Sequence, residues 1–352
     1  MEKSDCLHEK YRAMDRRSFL KRTGLLGLGI ASTGIIPVVA EAVKFNNKLY
    51  KVSETKLAMG TFISITLIHP SRDEAEEAKG QAFKEIKRLT GLMNRFDSAT
   101  AVGQLNKEGF INELPPELAQ VIADSLDYSR ISRGTFDITV KPVVDLFKDN
   151  FNGKKLTPPS EDKIKQMISR VGSEKIELNG RTVRFKKNGM GITLDGIAKG
   201  YIVDRAADIL ISRNIKNFLI NAGGDIRAMG VRADRKPWTV AIEDPQKKRK
   251  YPDIIHMTNG AIATSGNYEI YFDYEKMFHH IINPHTGLSP ATNTSVSVIA
   301  PSTMEADALS TSVFVMEPSQ GTMFINSLPG RECLVVSKGR GKYKSAGWKS
   351  AA

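Results

Sequence analysis

Gly191-Ile-Thr-Leu-Asp-Gly-Ile-Ala-Lys-Gly-Tyr201, an apolar run to Ser212, and then Phe218-Leu-Ile-Asn-Ala-Gly-Gly-Asp-Ile226 form the most telling stretch of this chain. Two tight glycine turns, each beside an Asp, bracket one predicted helix. Glycine lets a ligand approach the backbone closely, and a helix N-terminus offers unpaired N–H groups to an anion. Lys199 adds a mobile positive charge at the same place. The pattern is neither a Walker loop nor a Gly-x-Gly-x-x-Gly fingerprint. Spacing by itself fits a phosphate-type ligand site or a purely structural pair of turns.

Around this centre the pattern is strand, helix, strand: Ile192–Leu194, Tyr201–Ser212 and Phe218–Asn221. Leu57–Ile68 alternates and is β-branched at Thr61, Ile63, Ile65 and Thr66, which predicts a strand. Arg72–Phe96 repeats apolar residues at helical spacing, and its acidic start suits the helix dipole. Further helices are predicted at Pro115–Ile131, Ser160–Arg170, Thr303–Val315 and Ser319–Ser327. A hairpin is predicted over Lys175–Phe185, turning at Asn179-Gly180. Later strands are predicted at Trp238–Ile242, Ala261–Thr264, Tyr268–Phe272, His279–Ile282, Thr294–Ile299 and Cys333–Ser337. Helices and strands mix without strict βαβ repetition, so the fold class is α+β with substantial antiparallel sheet.

The ends bound the setting. Asp15-Arg16-Arg17-Ser18-Phe19-Leu20-Lys21 is a twin-arginine pattern, followed by a glycine-rich apolar stretch and the small-x-small triplet Ala40-Glu41-Ala42. Residues 1–42 are expected to be a signal peptide and residues 43–352 a single domain of two lobes. The expected location is the periplasm or the outer face of the cytoplasmic membrane. Cys6 would leave with the signal, so Cys333 would have no disulfide partner. Lys and Arg number 51 against 39 Asp and Glu, a formal +12, partly local to Lys247–Lys250 and Lys338–Lys349. No basic face interleaved with aromatics supports nucleic-acid binding.

Chemistry-bearing side chains recur in other segments. Asp307 and Thr311 stand at i and i+4 of a predicted helix opened by a Ser302–Glu305 capping box, so both face one way. A carboxylate and a hydroxyl on one face suit a hard cation such as Mg²⁺, although an acidic first turn is also ordinary helix chemistry. His279, His280 and His285 lack a Cys partner and helical His spacing, which argues against zinc.

Seven motifs, in order, resemble the ApbE-type FAD:protein FMN transferases over about residues 55–337. They are Met59-Gly60-Thr61, Gly134-Thr135-Phe136-Asp137, Leu194–Tyr201, Asn221–Ile226, Ala263-Thr264-Ser265-Gly266, His280–Gly287 and Ala306–Thr311. The resemblance implies a T-fold-like, two-lobed α+β architecture with mixed or antiparallel sheets and an FAD cleft between lobes. It implies an enzyme that splits FAD and attaches FMN through a phosphoester bond to a Thr or Ser of a target flavoprotein, releasing AMP. Alternatives are an FAD pyrophosphatase using the same residues and a flavin-binding protein without chemistry. Mg²⁺ would be held by Asp307, Thr311 and the Gly196 carbonyl. Met59, Thr100, Asp137, Lys199, Gly223, Gly224, Asp225, Thr264, Ser265 and His280 would contact the flavin nucleotide, with His280 and Asp307 in catalytic roles. Any membrane association would run through the targets. Two positions depart from the family pattern: Asn283 stands where it usually has Asp, and Ala101 where it usually has an acid.

Overall fold

The computed structural model describes residues 41–46, 49–151, 158–245, 251–267 and 279–351. The twin-arginine segment, the expected strand Tyr268–Phe272 and the basic run Lys247–Lys250 lie outside the described residues. In chain order, β1 (Glu41–Asn46), β2 (Leu49–Ala58) and β3 (Thr61–His69) form a meander. The helices α1 (Arg72–Leu92), α2 (Ala101–Glu108), α3 (Pro116–Ile131), α4 (Lys141–Phe151) and α5 (Glu161–Ile168) follow, with β4 (Phe110–Ile111) between α2 and α3. Next come the hairpin β5 (Ile176–Asn179) and β6 (Thr182–Phe185), then α6 (Ala198–Ser212), β7 (Phe218–Ala222) and β8 (Asp225–Met229). The chain closes with β9 (Trp238–Ala241), β10 (Ile254–Met257), β11 (Asn259–Gly266), β12 (Asn293–Ala300), α7 (Thr303–Val315), α8 (Pro318–Asn326), β13 (Glu332–Ser337) and β14 (Lys342–Lys344).

Among the described residues the main sheet has nine strands in the order β1-β2-β3-β7-β8-β11-β12-β13-β14, each antiparallel to its neighbours. A three-stranded sheet, β4-β6-β5, and the β9–β10 pair complete an α+β fold. The alternation of β7 explains the layering. Phe218, Ile220 and Ala222 face a core shared with Ile63, Ile65 and Leu67 of β3 and with α1 and α6. Leu219 faces the opposite core, which Trp238, Val240, Ile255 and Met257 of β9 and β10 cover. Val296 and Val298 of β12 meet Leu309, Val313 and Phe314 of α7 in a third cluster. A satellite core around Val143, Val144, Phe147 and Ile164 holds α4 and α5 together.

Four expectations change. The predicted strand Leu57–Ile68 is a hairpin, because Met59 and Gly60 both take left-handed backbone (φ 52° and 70°) and close a two-residue turn. A methionine gives no turn signal, so the alternation ran straight through it. Ile192–Leu194 is not a strand. Asn106 takes its place as partner: its Oδ1 accepts from Ile192 N at 2.6 Å and its Nδ2 donates to Ile192 O at 3.0 Å, while Thr193 N donates to Ile138 O. His279–Ile282 is likewise irregular beyond one bridge at His279, where the Ser289 hydroxyl accepts from His279 N and donates to His279 O. The predicted first helix also stops short, at Leu92 rather than Phe96.

The join between α6 and α7 fixes the central geometry. Asp204, on α6, accepts hydrogen bonds at 2.8 Å from the N–H groups of both Thr303 and Met304 at the start of α7. Asp307, on α7, accepts one at 3.1 Å from Gly200 N in the first turn of α6. Each helix thus lends a carboxylate to the other's electropositive end, satisfying N–H groups that no helical bond can reach. The helices touch because position 200 has no side chain: a Cβ there would lie 2.7 Å from Met304 Cα.

Gly200→Ala is therefore expected to destabilise the fold by about 1–3 kcal/mol as the helices are forced apart. The check is thermal unfolding, where a drop of several degrees is expected and an unchanged midpoint would contradict the tight join. Cys333 is fully buried, and burial pushes its thiol pKa up to about 12. In the chain from Val43 onward, a thiol reagent should label Cys333 only after denaturation; stoichiometric labelling of the native protein would refute this burial.

Candidate active site

Between α4 with its leading turn on one side, and α6, α7 and the end of β11 on the other, lies a cleft of about 740 Å³, its open mouth included. Its lining brings together Asp137, Gly196, Lys199, Thr264, Ser265, His280, Asp307 and Thr311, all singled out in the sequence.

The α6 end is built for negative charge. Lys199, in its first turn, lines the cleft at 21% side-chain exposure. A cation at a helix N-terminus opposes the helix dipole. Asp225, only 1% exposed, offsets this at 3.4 Å from the Lys199 ammonium. Asp225 reaches there because the Gly223-Gly224 turn, at φ +60° and +103°, folds β8 back sharply on β7. The same turn lies against Thr61, since a Cβ at Gly223 would come within 3.1 Å of Thr61 Cβ. The Met59-Gly60-Thr61 turn and the Gly223-Gly224-Asp225 turn are thus neighbours, although neither Met59 nor Gly223 lines the cleft itself.

Beside this end, Asp307 (5% exposed) and Thr311 are one turn apart on α7. Gly196 faces them: a Cβ there would lie 3.0 Å from Thr311 Oγ1, so bare backbone approaches the hydroxyl. A carboxylate, a hydroxyl and a close stretch of main chain form an all-oxygen donor set, which fits a hard cation that keeps waters. Among the described residues no three His, Cys, Asp or Glu side chains come together. The three histidines separate. His279 is buried with its Nε2 3.0 Å from Pro290 O, His285 sits 3.2 Å from Arg133 O, and His280 lines the cleft.

Other sequence candidates have structural partners. Asp137 Oδ1 accepts from Thr139 N and Oγ1 at 2.8 and 2.6 Å, and its Oδ2 accepts from Ser173 N at 2.8 Å. Burial pushes this carboxyl's pKa up against the pull of those donors. Asp137 therefore shapes the cleft wall chiefly by tying its chain together. Thr100 caps α2 by accepting from Gly103 N, and it donates toward Asn94 O and Asp97 O rather than lining the cleft. Thr264 and Ser265 are neighbours on β11, so their side chains point to opposite sheet faces. Thr264 pairs with Ser297 at 2.8 Å, whereas Ser265 pairs with Ser310 and Thr311 of α7. Asn283 Oδ1 accepts from His285 N at 2.9 Å, a turn bond that an Asp would also make.

Sequence reasoning missed Asp195 and Arg95. Asp195 lines the cleft and bonds the buried Arg95 guanidinium at 3.0 Å. Burial pushes the Asp195 carboxyl up, but Arg95 overrides it and holds it below its ordinary value. Arg95 also reaches Asp145 at 3.7 Å and lies 4.3 Å from the centroid of the exposed Phe96 ring. A hundred residues separate Arg95 from Asp195, so only the Asp beside the glycine turn offered a signal.

The chain and its fold have counterparts. The sequence matches the model of the ApbE family over residues 59–335. It is 32% identical over 302 residues to an FAD:protein FMN transferase of Vibrio cholerae, covering 83% of this chain and 90% of that one. A relative of the same description from Haemophilus influenzae is 31% identical over 242 residues, covering 66% of this chain and 70% of that one. Among solved structures, the apbe protein of Thermotoga maritima superposes with a TM-score of 0.76 at 30% identity, covering 84% of this chain and 97% of the other. The flavin transferase ApbE of Vibrio cholerae gives 0.73 at 26% identity, covering 88% and 98%. With five of the seven motifs lining one cleft and the family model spanning most of the described fold, this chain belongs to the ApbE family.

Proposed function

We propose that this protein is an FAD:protein FMN transferase that uses Mg²⁺. The observation that carries the reading is two charge sites side by side in one cleft: Asp307 and Thr311 on α7, and Lys199 in the first turn of α6, whose Gly200 N–H bonds Asp307. A cation on the α7 donors and the Lys199 ammonium beside it would together neutralise a pyrophosphate, and phosphoryl transfer asks little else of a protein beyond alignment.

In this reading Asp307, Thr311 and the Gly196 carbonyl hold Mg²⁺. Bound there, the ion supplies Lewis-acid polarisation of pyrophosphate oxygens. Lys199 takes up charge on the phosphates, with the α6 dipole behind it. An acceptor Thr or Ser hydroxyl attacks the FMN phosphorus, and the bond from that phosphorus to the bridging oxygen breaks. AMP leaves with the bridging oxygen, and a phosphoester joins FMN to the acceptor. His280, at the cleft wall, receives the hydroxyl proton, a task a neutral imidazole suits near pH 7. Asp307 contributes by fixing the cation. If water replaced the acceptor, the same residues would yield free FMN and AMP.

The test is to incubate the protein with FAD, Mg²⁺ and a protein domain bearing an acceptor Thr, then weigh the acceptor. One FMN added per acceptor is expected, abolished by EDTA and reduced at least a hundredfold by Asp307→Ala, within the range seen when a key electrostatic group is removed. AMP and free FMN with an unmodified acceptor would shift the reading to a pyrophosphatase, and intact FAD would leave a binding protein.

The same proposal includes export. The support is the Arg16-Arg17 pattern with its apolar stretch and the Ala40-Glu41-Ala42 triplet. Glu41 and Ala42 already pair with Ser53 and Val52 in the β1–β2 ladder, so the expected cleavage point falls inside a strand. Lys at both Arg16 and Arg17 should hold the protein in the cytoplasm on cell fractionation; unchanged export would overturn the twin-arginine assignment.

A further inference from the structure

Ser265 Oγ, at the end of β11, lies 2.8 Å from Ser310 Oγ and 3.2 Å from Thr311 Oγ1. Those distances leave the donors open, but the neighbouring groups close them. Ser310 Oγ is 2.9 Å from the Asp307 carbonyl oxygen, which can only accept. A hydroxyl carries one proton. The Ser310 proton is therefore on the Asp307 carbonyl, so Ser265 must donate to Ser310. Its own proton spent, Ser265 can only accept from Thr311. The chain runs one way: Thr311 to Ser265 to Ser310 to the main chain of Asp307.

We infer that Ser265 is a positioning residue that turns the Thr311 proton away from the cleft and presents Thr311 as a pure lone-pair donor to the cation. This rests on the cation reading proposed above. A threonine hydroxyl without that acceptor rotates and spends part of its time aiming a proton at the cation, which repels it. The relay has little slack. Ser310 is fully buried, and the chain ends on the residue that supplies the carboxylate. Outer-shell hydrogen bonds of this kind orient metal ligands and commonly set affinity. The Thr264–Ser297 pair, on the opposite face of the same strands, is a matched control: also two hydroxyls at 2.8 Å, but with no link to Thr311.

The test reads cation binding without turnover. Mn²⁺, another hard cation suited to oxygen donors, is titrated into the purified protein and free Mn²⁺ is followed by electron paramagnetic resonance. Ser265→Ala should weaken Mn²⁺ binding about tenfold. Ser265→Cys, similar in shape but a weak donor and acceptor, should behave alike and serves if the Ala variant is unstable. Ser265→Thr should recover most of the affinity, and Ser297→Ala should leave it unchanged. The double variant Ser265→Ala/Thr311→Val should bind no more weakly than Thr311→Val alone. Wild-type affinity in both Ser265→Ala and Ser265→Cys, or fully additive losses in the double variant, would overturn the inference. A wild-type protein that binds no Mn²⁺ would instead defeat the cation reading, and the role of Ser265 with it.

Discussion

The exchange of carboxylates between two helix ends is the interaction on which the cleft depends. Asp204 and Asp307 each cross to the N-terminus of the other helix, where N–H groups would otherwise meet no partner. Buried carboxylates are costly unless they are hydrogen-bonded. Here the two costs offset the same two deficits, and the helices lock in one register. That register sets where Asp307 stands, and with it Thr311 one turn further on. It also aims the first turn of α6, with Lys199, into the same space. The bare Cα of Gly200 is the condition for the exchange, since a side chain there would hold the helices apart.

The sheet supplies the second constraint. Strict alternation along β11 sends Ser265 toward α7 and Thr264 to the far face, so two neighbouring hydroxyls enter different environments. The glycine turn after β7 brings Asp225 up to Lys199, and a buried carboxylate meets a half-buried ammonium close to the cleft. Asn106 works in the same spirit on the other wall. It stands in for a strand partner at Ile192, holding the backbone extended up to the turn that Gly196 completes.

Much of this was legible in the sequence, and the reasons are local. Thr303–Val315 shows its capping box and helical spacing, so Asp307 and Thr311 could be placed on one face. The glycine turns carry their own signal, and the α+β class follows from the mixture of elements. What stayed hidden involves distance along the chain. Asp204 reads as an ordinary polar residue of a helix, because nothing near it announces Thr303. Arg95 and Asp195 pair across a hundred residues. Asp137 was legible as a polar group at a turn, but its ties to Thr139 and Ser173 make its carboxylate largely structural. Met59 hid a hairpin because its side chain carries no turn preference, while its backbone takes a left-handed conformation unusual outside glycine.

The pairing of Leu67 in β3 with Phe218 in β7 has a kinetic meaning. The whole run of helices between them must be looped out before this central ladder can close, and the α6–α7 exchange spans another long interval. Topologies dominated by such remote contacts fold slowly, because loop-closure entropy is lost before the contacts return it. The cleft is complete only once remote segments have met, since Asp137, Lys199, Ser265 and Asp307 line it together. A nucleotide that binds only the completed cleft therefore adds to the stability of the folded state.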